Sequence, residues 1–439
     1  MRFAGAPGFF EDTNTKNKNE RFKIMRFAIK SKYLIDGKSD SAKENTIVLV
    51  DDGLITDIIP QTENVPKGYK IIGGSKISLL PGFIDTHIHI LLSGGHTLFP
   101  WDVNITDSEL LLTAARNSIR LLKTGVTTAR DCGGRNLLTI DVKDAIEKKI
   151  IPGPKLDLSI MPITATGGHV WYWGLEVEGV DNLRKTVRYL CGKKADFIKV
   201  MATGGGSTLE SNVLTEQYTL EELKVIAFEA HNRGRRVTAH AHSTGGINLV
   251  VDAGFDSIEH CSFRYQKGKV PEPDVGVKFD QKVAEKIAKN NVYVSLTGTS
   301  GALLPEMIKT YSPDRQETMY TRVEIIRKLK DIGVKMTAST DQGVNSSEWN
   351  DLPLHVEALV RTVGFSPSEA IKMATSIPAE CMGKTDIGSI ERGKKADLIM
   401  IEGNPFENIK NIHNVKTVLI DGEIVFDKEA IPGLYTVLP

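Results

Sequence analysis

Residues 219–242 read TLEELKVIAFEAHNRGRRVTAHAH. This one segment holds a helix start, a helix stop and a strand. Thr219 with Glu222 three residues on is a capping box, which satisfies the free N–H groups at a helix N-terminus. A helix is therefore expected from Leu220 to Asn232, with Gly234 as its stop. Arg236-Val237-Thr238-Ala239-His240 follows as a β-rich run.

The same alternation spreads outward from this unit. Ser108 to Leu122 places Leu110, Leu111, Ala114, Ala115, Ile119 and Leu122 near a 3.6-residue period, and Gly125-Val126-Thr127-Thr128-Ala129 follows as a strand. Strand-like segments recur at 83–88, 125–130, 157–163, 196–201, 236–241, 256–260, 292–297 and 335–340. Alternating strands and helices make parallel sheet with helices outside. Eight units over ~300 residues predict a (β/α)₈ barrel across 81–385. An open doubly wound sheet is the alternative, weakened because no GxGxxG opens a helix after an early strand.

The flanks read differently. Within 25–80, Phe27-Ala28-Ile29, Tyr33-Leu34-Ile35, Thr46 to Val50 and Leu54 to Ile59 are short strands between Asp, Gly and Lys turns. Within 386–439, Asp397 to Ile401 and Val415 to Ile420 are strands, and Asp421-Gly422 turns a hairpin into Ile424-Val425-Phe426. Neither end has enough strands to stand alone, so the two are expected to pair into one small β-sandwich. Residues 1–24 are polar after an early Gly/Pro stretch and read as a mobile extension without an export signal.

The chain has 439 residues, with 55 Lys plus Arg and 55 Asp plus Glu. A net charge of zero excludes a nucleic-acid partner held by bulk positive charge and gives no reason for an anionic membrane surface. No stretch approaches the ~20 apolar residues of a bilayer span. Cys132, Cys191, Cys261 and Cys381 lack CxxC spacing and read as reduced thiols of a cytoplasmic protein. The expected partners are a small molecule or short peptide and further copies of the chain.

Chemistry gathers at the strand ends. His87 and His89 close the first barrel strand, and residues two apart share a face, so both imidazoles reach one metal ion. His240 and His242 end the fifth strand, His260 the sixth and Asp341 the eighth. A barrel carries all of these to one mouth. Lys199 lies inside the apolar fourth strand, FIKVM. Burial favours its neutral amine, and a neutral amine adds carbon dioxide to give a carbamate that can bridge two cations.

In this order, PGFIDTHIH, FIKVMATGG, VTAHAHS, SIEHCS, TASTD and GKKADLIMIEGNP resemble the amidohydrolase superfamily over about residues 25–430. Within it the chain looks most like the imidazolonepropionase-like branch, with its binuclear zinc prolidases and Xaa-Arg carboxypeptidases. The resemblance implies a barrel with a β-sandwich made from both chain ends. It implies that His87, His89 and Asp341 bind a buried metal, that His240 and His260 bind an outer one, and that carboxylated Lys199 bridges the two. It leaves His242 beside the metals or facing substrate. Two divalent ions, most simply Zn²⁺ for a His-rich set, would activate water, with Asp341 moving its proton. Thr166-Gly167-Gly168-His169 and Gln217-Tyr218 also match; in peptidase relatives the Tyr helps hold the substrate's free carboxylate. Val170-Trp171-Tyr172-Trp173 departs from those relatives and reads as a lid, a subunit contact or an aromatic substrate wall. Hydrolysis of an amide bond in dipeptides or N-acyl amino acids is expected; a cyclic amidohydrolase and a non-enzymatic scaffold are the alternatives.

Overall fold

The computed structural model describes residues 26–94, 104–267, 275–297, 301–344 and 351–429. The expected extension at 1–24 lies outside them. The chain opens with β1 (Phe27–Leu34), β2 (Lys43–Asp51), β3 (Leu54–Pro60) and β4 (Lys70–Pro81). The middle supplies β5 (Phe83–Ile88), β6 (Val126–Asp131), β7 (Lys155–Leu158), β8 (Ile163–Thr164), β9 (Leu175–Glu176), β10 (Phe197–Met201), β11 (Arg236–Ser243), β12 (Ser257–Gln266), β13 (Val275–Val277), β14 (Tyr293–Leu296) and β15 (Met336–Ala338). The described chain closes with β16 (Leu398–Glu402), β17 (Val415–Ile420) and β18 (Glu423–Asp427).

Both ends of the chain enter one seven-stranded sheet, ordered β18-β17-β16-β4-β1-β2-β3. The junction is β4, which pairs parallel with β1 and antiparallel with β16. The sequence reading had no strand here, because Gly73-Gly74-Ser75-Lys76 offers no β-former. Gly73 is required for another reason: its φ is +84°, and a Cβ would lie 2.2 Å from the Lys30 carbonyl oxygen.

The middle of the chain is a mixed α/β fold with parallel sheet. β5, β6 and β7 form one parallel set, and β10, β11, β12, β14 and β15 another, extended at one edge by β8 and β9. The first set is hydrogen-bonded to the second at both sides. Asp196 N donates to Leu158 O at 2.8 Å. On the other side His89 N donates to Gln342 O, and Asp341 N to His87 O, each at 2.8 Å. β6, β10 and β14 are buried along their whole length, as strands covered on both faces must be. Each fully buried Ile or Val contributes roughly 1.5–3 kcal/mol.

Helices occupy the connections, among them Asp107–Lys123, Leu138–Glu147, Val180–Gly192, Leu220–His231, Thr244–Asp252, Gln281–Lys289 and Pro313–Ile332. The Thr219/Glu222 capping box is present in both directions, and Thr106 with Glu109 forms a second one. The third parallel strand, β7, differs from the expected 157–163. It ends at Leu158, because Ile160 adopts φ +71° and Pro162 has no N–H to donate. All four cysteines are free. No described helix is long and apolar enough to cross a membrane.

Candidate active site

A cavity of about 190 Å³ opens where β5, β10, β11, β12 and β15 end. Its walls include His87, His89, His169, Lys199, His240, His242, His260 and Asp341. Of the residues singled out by sequence, Thr166, Gly167, Gly168, Gln217, Tyr218 and the exposed Trp171 are missing from this wall and its aromatic backing. Among the described residues three groups have ligand atoms within 4.8 Å of one another: His87, His89 and Asp341; His240, His242 and His260; and His87, Cys132 and Glu259 behind the first.

The first group is fixed by what lies behind it. His87 Nδ1 is 2.8 Å from a Glu259 oxygen, and His89 Nδ1 is 2.7 Å from the Gly133 carbonyl. Both neighbours only accept, so both rings carry their proton on Nδ1 and present a bare Nε2. Those Nε2 atoms face Asp341 Oδ1 at 3.2 and 3.5 Å. Two lone pairs and a carboxylate oxygen this close repel unless a cation lies among them. His87 registers that demand. Burial disfavours its charge, but Cys132, Asp341 and Glu259 lift its pKa to about 10.

Glu259 is central to this arrangement. Its other oxygen accepts from Arg130 at 2.7 Å and from the Thr238 hydroxyl at 2.5 Å. Burial opposes its charge, yet Arg130 and His87 hold it far below the usual carboxylate range. Asp85 and Asp131 pin the loop around His87 and His89. Asp85 accepts from His87 N and the Thr340 hydroxyl, and Asp131 accepts from Ile90 N and Gly133 N. Burial raises their pKa values to about 7 and about 6. Sequence reading missed these supports. The available signal was a charged residue in the middle of a buried strand, at Arg130 and at Glu259.

In the second group, His240 Nε2 donates to Gly204 O at 3.2 Å, which leaves Nδ1 bare. That atom lies 2.8 Å from His260 Nε2, so a proton or a cation must stand between them. His242 turns aside: its Nδ1 lies 2.9 Å from the Ser262 hydroxyl. Burial, then the neighbouring rings, push His240 and His260 well below the ordinary imidazole value. Burial alone leads for His89, at about 4. Neutral imidazole is the form that binds metal. His260 and Asp341 both adopt left-handed backbone, φ +69° and +62°, a strain found where side chains must be aimed.

Lys199 lines the same cavity, fully buried, with an Nζ that has no hydrogen-bond partner among the described residues. An unpaired buried ammonium is costly. This orphan amine beside two sets of facing lone pairs fits a donor set that holds divalent ions.

His169 joins the wall, its ring 4.5 Å from that of His240. Gly205 makes room for it, since a Cβ there would sit 2.4 Å from His169 Nε2. Trp173 stacks on His89 at 5.5 Å and packs with Leu92, Val170 and Met201. Tyr218 stands outside this lining. It is buried in the apolar core, and its hydroxyl donates its one proton to Val177 O at 3.0 Å.

The Amidohydrolase family model matches residues 78–425. The chain belongs to the amidohydrolase family. An ochratoxinase of Aspergillus niger is 27% identical over 422 residues, covering 88% of this chain and 83% of that protein. An imidazolonepropionase of Clostridium tetani is 25% identical, covering 94% and 98%. A crystal structure of a Xaa-Pro dipeptidase with bound methionine in the active site superposes with a TM-score of 0.80 at 26% identity, over 92% of this chain and 100% of that one. This amidohydrolase lies in the imidazolonepropionase-like branch and is a hydrolase acting on C–N bonds.

Proposed function

We propose that this chain hydrolyses the amide bond of N-acyl amino acids or dipeptides at a binuclear metal centre, on a (β/α)₈ barrel that carries a β-sandwich made from both chain ends. The observation that carries the metal reading is the bare Nε2 pair of His87 and His89 facing Asp341, with the orphan Nζ of Lys199 alongside. His87, His89 and Asp341 would hold one ion, and His240 and His260 the other. Lys199 would span them as a carbamate, its nitrogen bonded to the carbon of carbon dioxide with one proton released. Zinc suits this His-rich set. Such ions supply Lewis-acid polarisation of the scissile carbonyl and acidify water.

The chain's own residues do the rest. Asp341 takes a proton from the attacking water at a carboxylate oxygen and returns it to the leaving amine. Glu259 and Gly133 keep His87 and His89 in the tautomer that leaves Nε2 free. Trp173, Val170 and Met201 exclude water and favour an apolar or aromatic group. The substrate class is supported by the ochratoxinase relative and by the dipeptidase that holds methionine, an amino acid with a free carboxylate. Imidazolonepropionase similarity supports a ring hydrolase as the second reading. The test is kcat/KM on a library of N-acyl amino acids, dipeptides, hydantoins and imidazolones. Turnover led by N-acyl aromatic amino acids is expected; turnover confined to rings would move the assignment to the second reading.

A further inference from the structure

Beyond His260, β12 runs on past the cavity to Arg264, which pairs in register with Ser243 of β11 and Val277 of β13. Arg264 is half-buried, and its Nε is shielded from solvent without a hydrogen-bond partner. No ion pair to it exists among the described residues. Behind the same turn of β12 lies Arg322, 6% exposed, whose guanidinium donates to the carbonyls of His260 and Cys261. It too has no acid partner among the described residues.

Among the described residues, Glu259 and Glu216 are already engaged. Glu259 is held by Arg130, His87 and Thr238, and Glu216 accepts from the Ser243 hydroxyl. Arg264 stands in register beside Ser243, the residue that follows His242. His242 lines the cavity and is tied to Ser262, two residues before Arg264. Two desolvated cations without a counter-charge are unfavourable, and an anion at the cavity rim relieves them. Arg presents a planar fork matched to a carboxylate.

We propose that Arg264, with Arg322 behind it as a positioning charge, receives the carboxylate of the substrate at the rim beside His242. This deepens the N-acyl amino acid reading and rests on it.

The test compares the metal-loaded wild type with Arg264→Gln and Arg264→Lys. The substrates are N-acetyl-L-phenylalanine and N-acetylphenethylamine, which share the scissile amide and differ in the carboxylate. Calorimetric binding of L-phenylalanine and benzoate gives a readout without turnover. Arg264→Gln is expected to lose about ten- to a hundredfold in kcat/KM on the acid, mostly in KM. It should lose no more than about threefold on N-acetylphenethylamine. Arg264→Lys should recover part of the loss, and both anions should bind Arg264→Gln about tenfold more weakly or worse. Equal losses on the two substrates, or unchanged acid preference and anion binding in Arg264→Gln, would overturn the Arg264 assignment while leaving the substrate reading intact. A wild type that cleaves both compounds equally would instead remove the substrate reading, and the Arg264 role with it. If neither compound is cleaved, the substrate reading fails, and anion affinity that does not depend on Arg264 removes the site.

Discussion

Asp341 has left-handed backbone, two imidazole nitrogens within 3.5 Å and an amide bonded to the His87 carbonyl. Its place is set by the backbone of β5 as much as by its own strand. Asp341→Asn keeps the shape and removes the base, so kcat should fall by ~10²–10⁴ with KM much less affected; a kcat near wild type in steady-state assays would contradict the proton-transfer role. Lys199→Ala should remove both activity and a share of the bound metal. Its measurable signature is the loss of one carbon dioxide from the intact mass of the native protein, together with partial recovery of activity on adding a short carboxylic acid. At this scale the sequence was readable where spacing alone sets direction. The two-residue period of a strand placed His87 with His89. It could not show Glu259 behind His87, because that contact joins positions 172 apart. Nor could it show the bond from the Tyr218 hydroxyl to Val177 O, 41 residues away.

Among the elements, β4 shows what local patterning leaves out. A strand interrupted by two glycines carries no propensity signal, yet it is the only strand of its sheet that joins β1 to β16. Gly73→Ala should destabilise the protein by about 1–3 kcal/mol, since φ +84° and the Lys30 carbonyl both oppose a Cβ. Urea denaturation checks this, and an unchanged midpoint would show that the β1–β4 junction is not held as described. The helices were more legible than the strands. The Thr219/Glu222 box fixed a helix start to the residue, whereas the strand expected at 157–163 starts two residues earlier and stops five residues sooner, at Leu158, because the left-handed turn at Ile160 has no sequence mark. The segment from β8 to β9 brings Trp173 onto His89. Trp173→Ala should raise KM for N-acyl aromatic amino acids several-fold more than for their alanine counterparts, and equal effects would deny it a role in the substrate wall.

For the whole molecule, stability and metal binding are linked through buried histidines. His355 lies outside the candidate metal groups. It is fully buried, its Nδ1 donates to Ser339 O at 2.9 Å, and burial lowers its pKa from 6.5 to about 4. The unfolded chain therefore binds a proton that the folded chain refuses. The resulting stability is complete above pH 6.5 and is lost as pH falls through about 4, amounting to about 3 kcal/mol. His355→Asn keeps a donor for Ser339 and should flatten the decline in denaturation free energy between pH 7 and pH 4.5; an unchanged slope would reject this account. Asp85 and Asp131, with raised values, act in the opposite sense over the same window, so the variant rather than the wild-type slope isolates the effect.

The central claim is that one cavity holds two ions through His87, His89, Lys199, His240, His260 and Asp341. Metal content per chain, measured by plasma mass spectrometry on protein produced with zinc and bicarbonate, tests it most directly. About two equivalents are expected in the wild type. His87→Ala and His260→Ala should each bring that number down, and exhaustive chelation should remove both ions together with activity. Stoichiometric metal untouched by either substitution, or a fully active chain without metal, would contradict it.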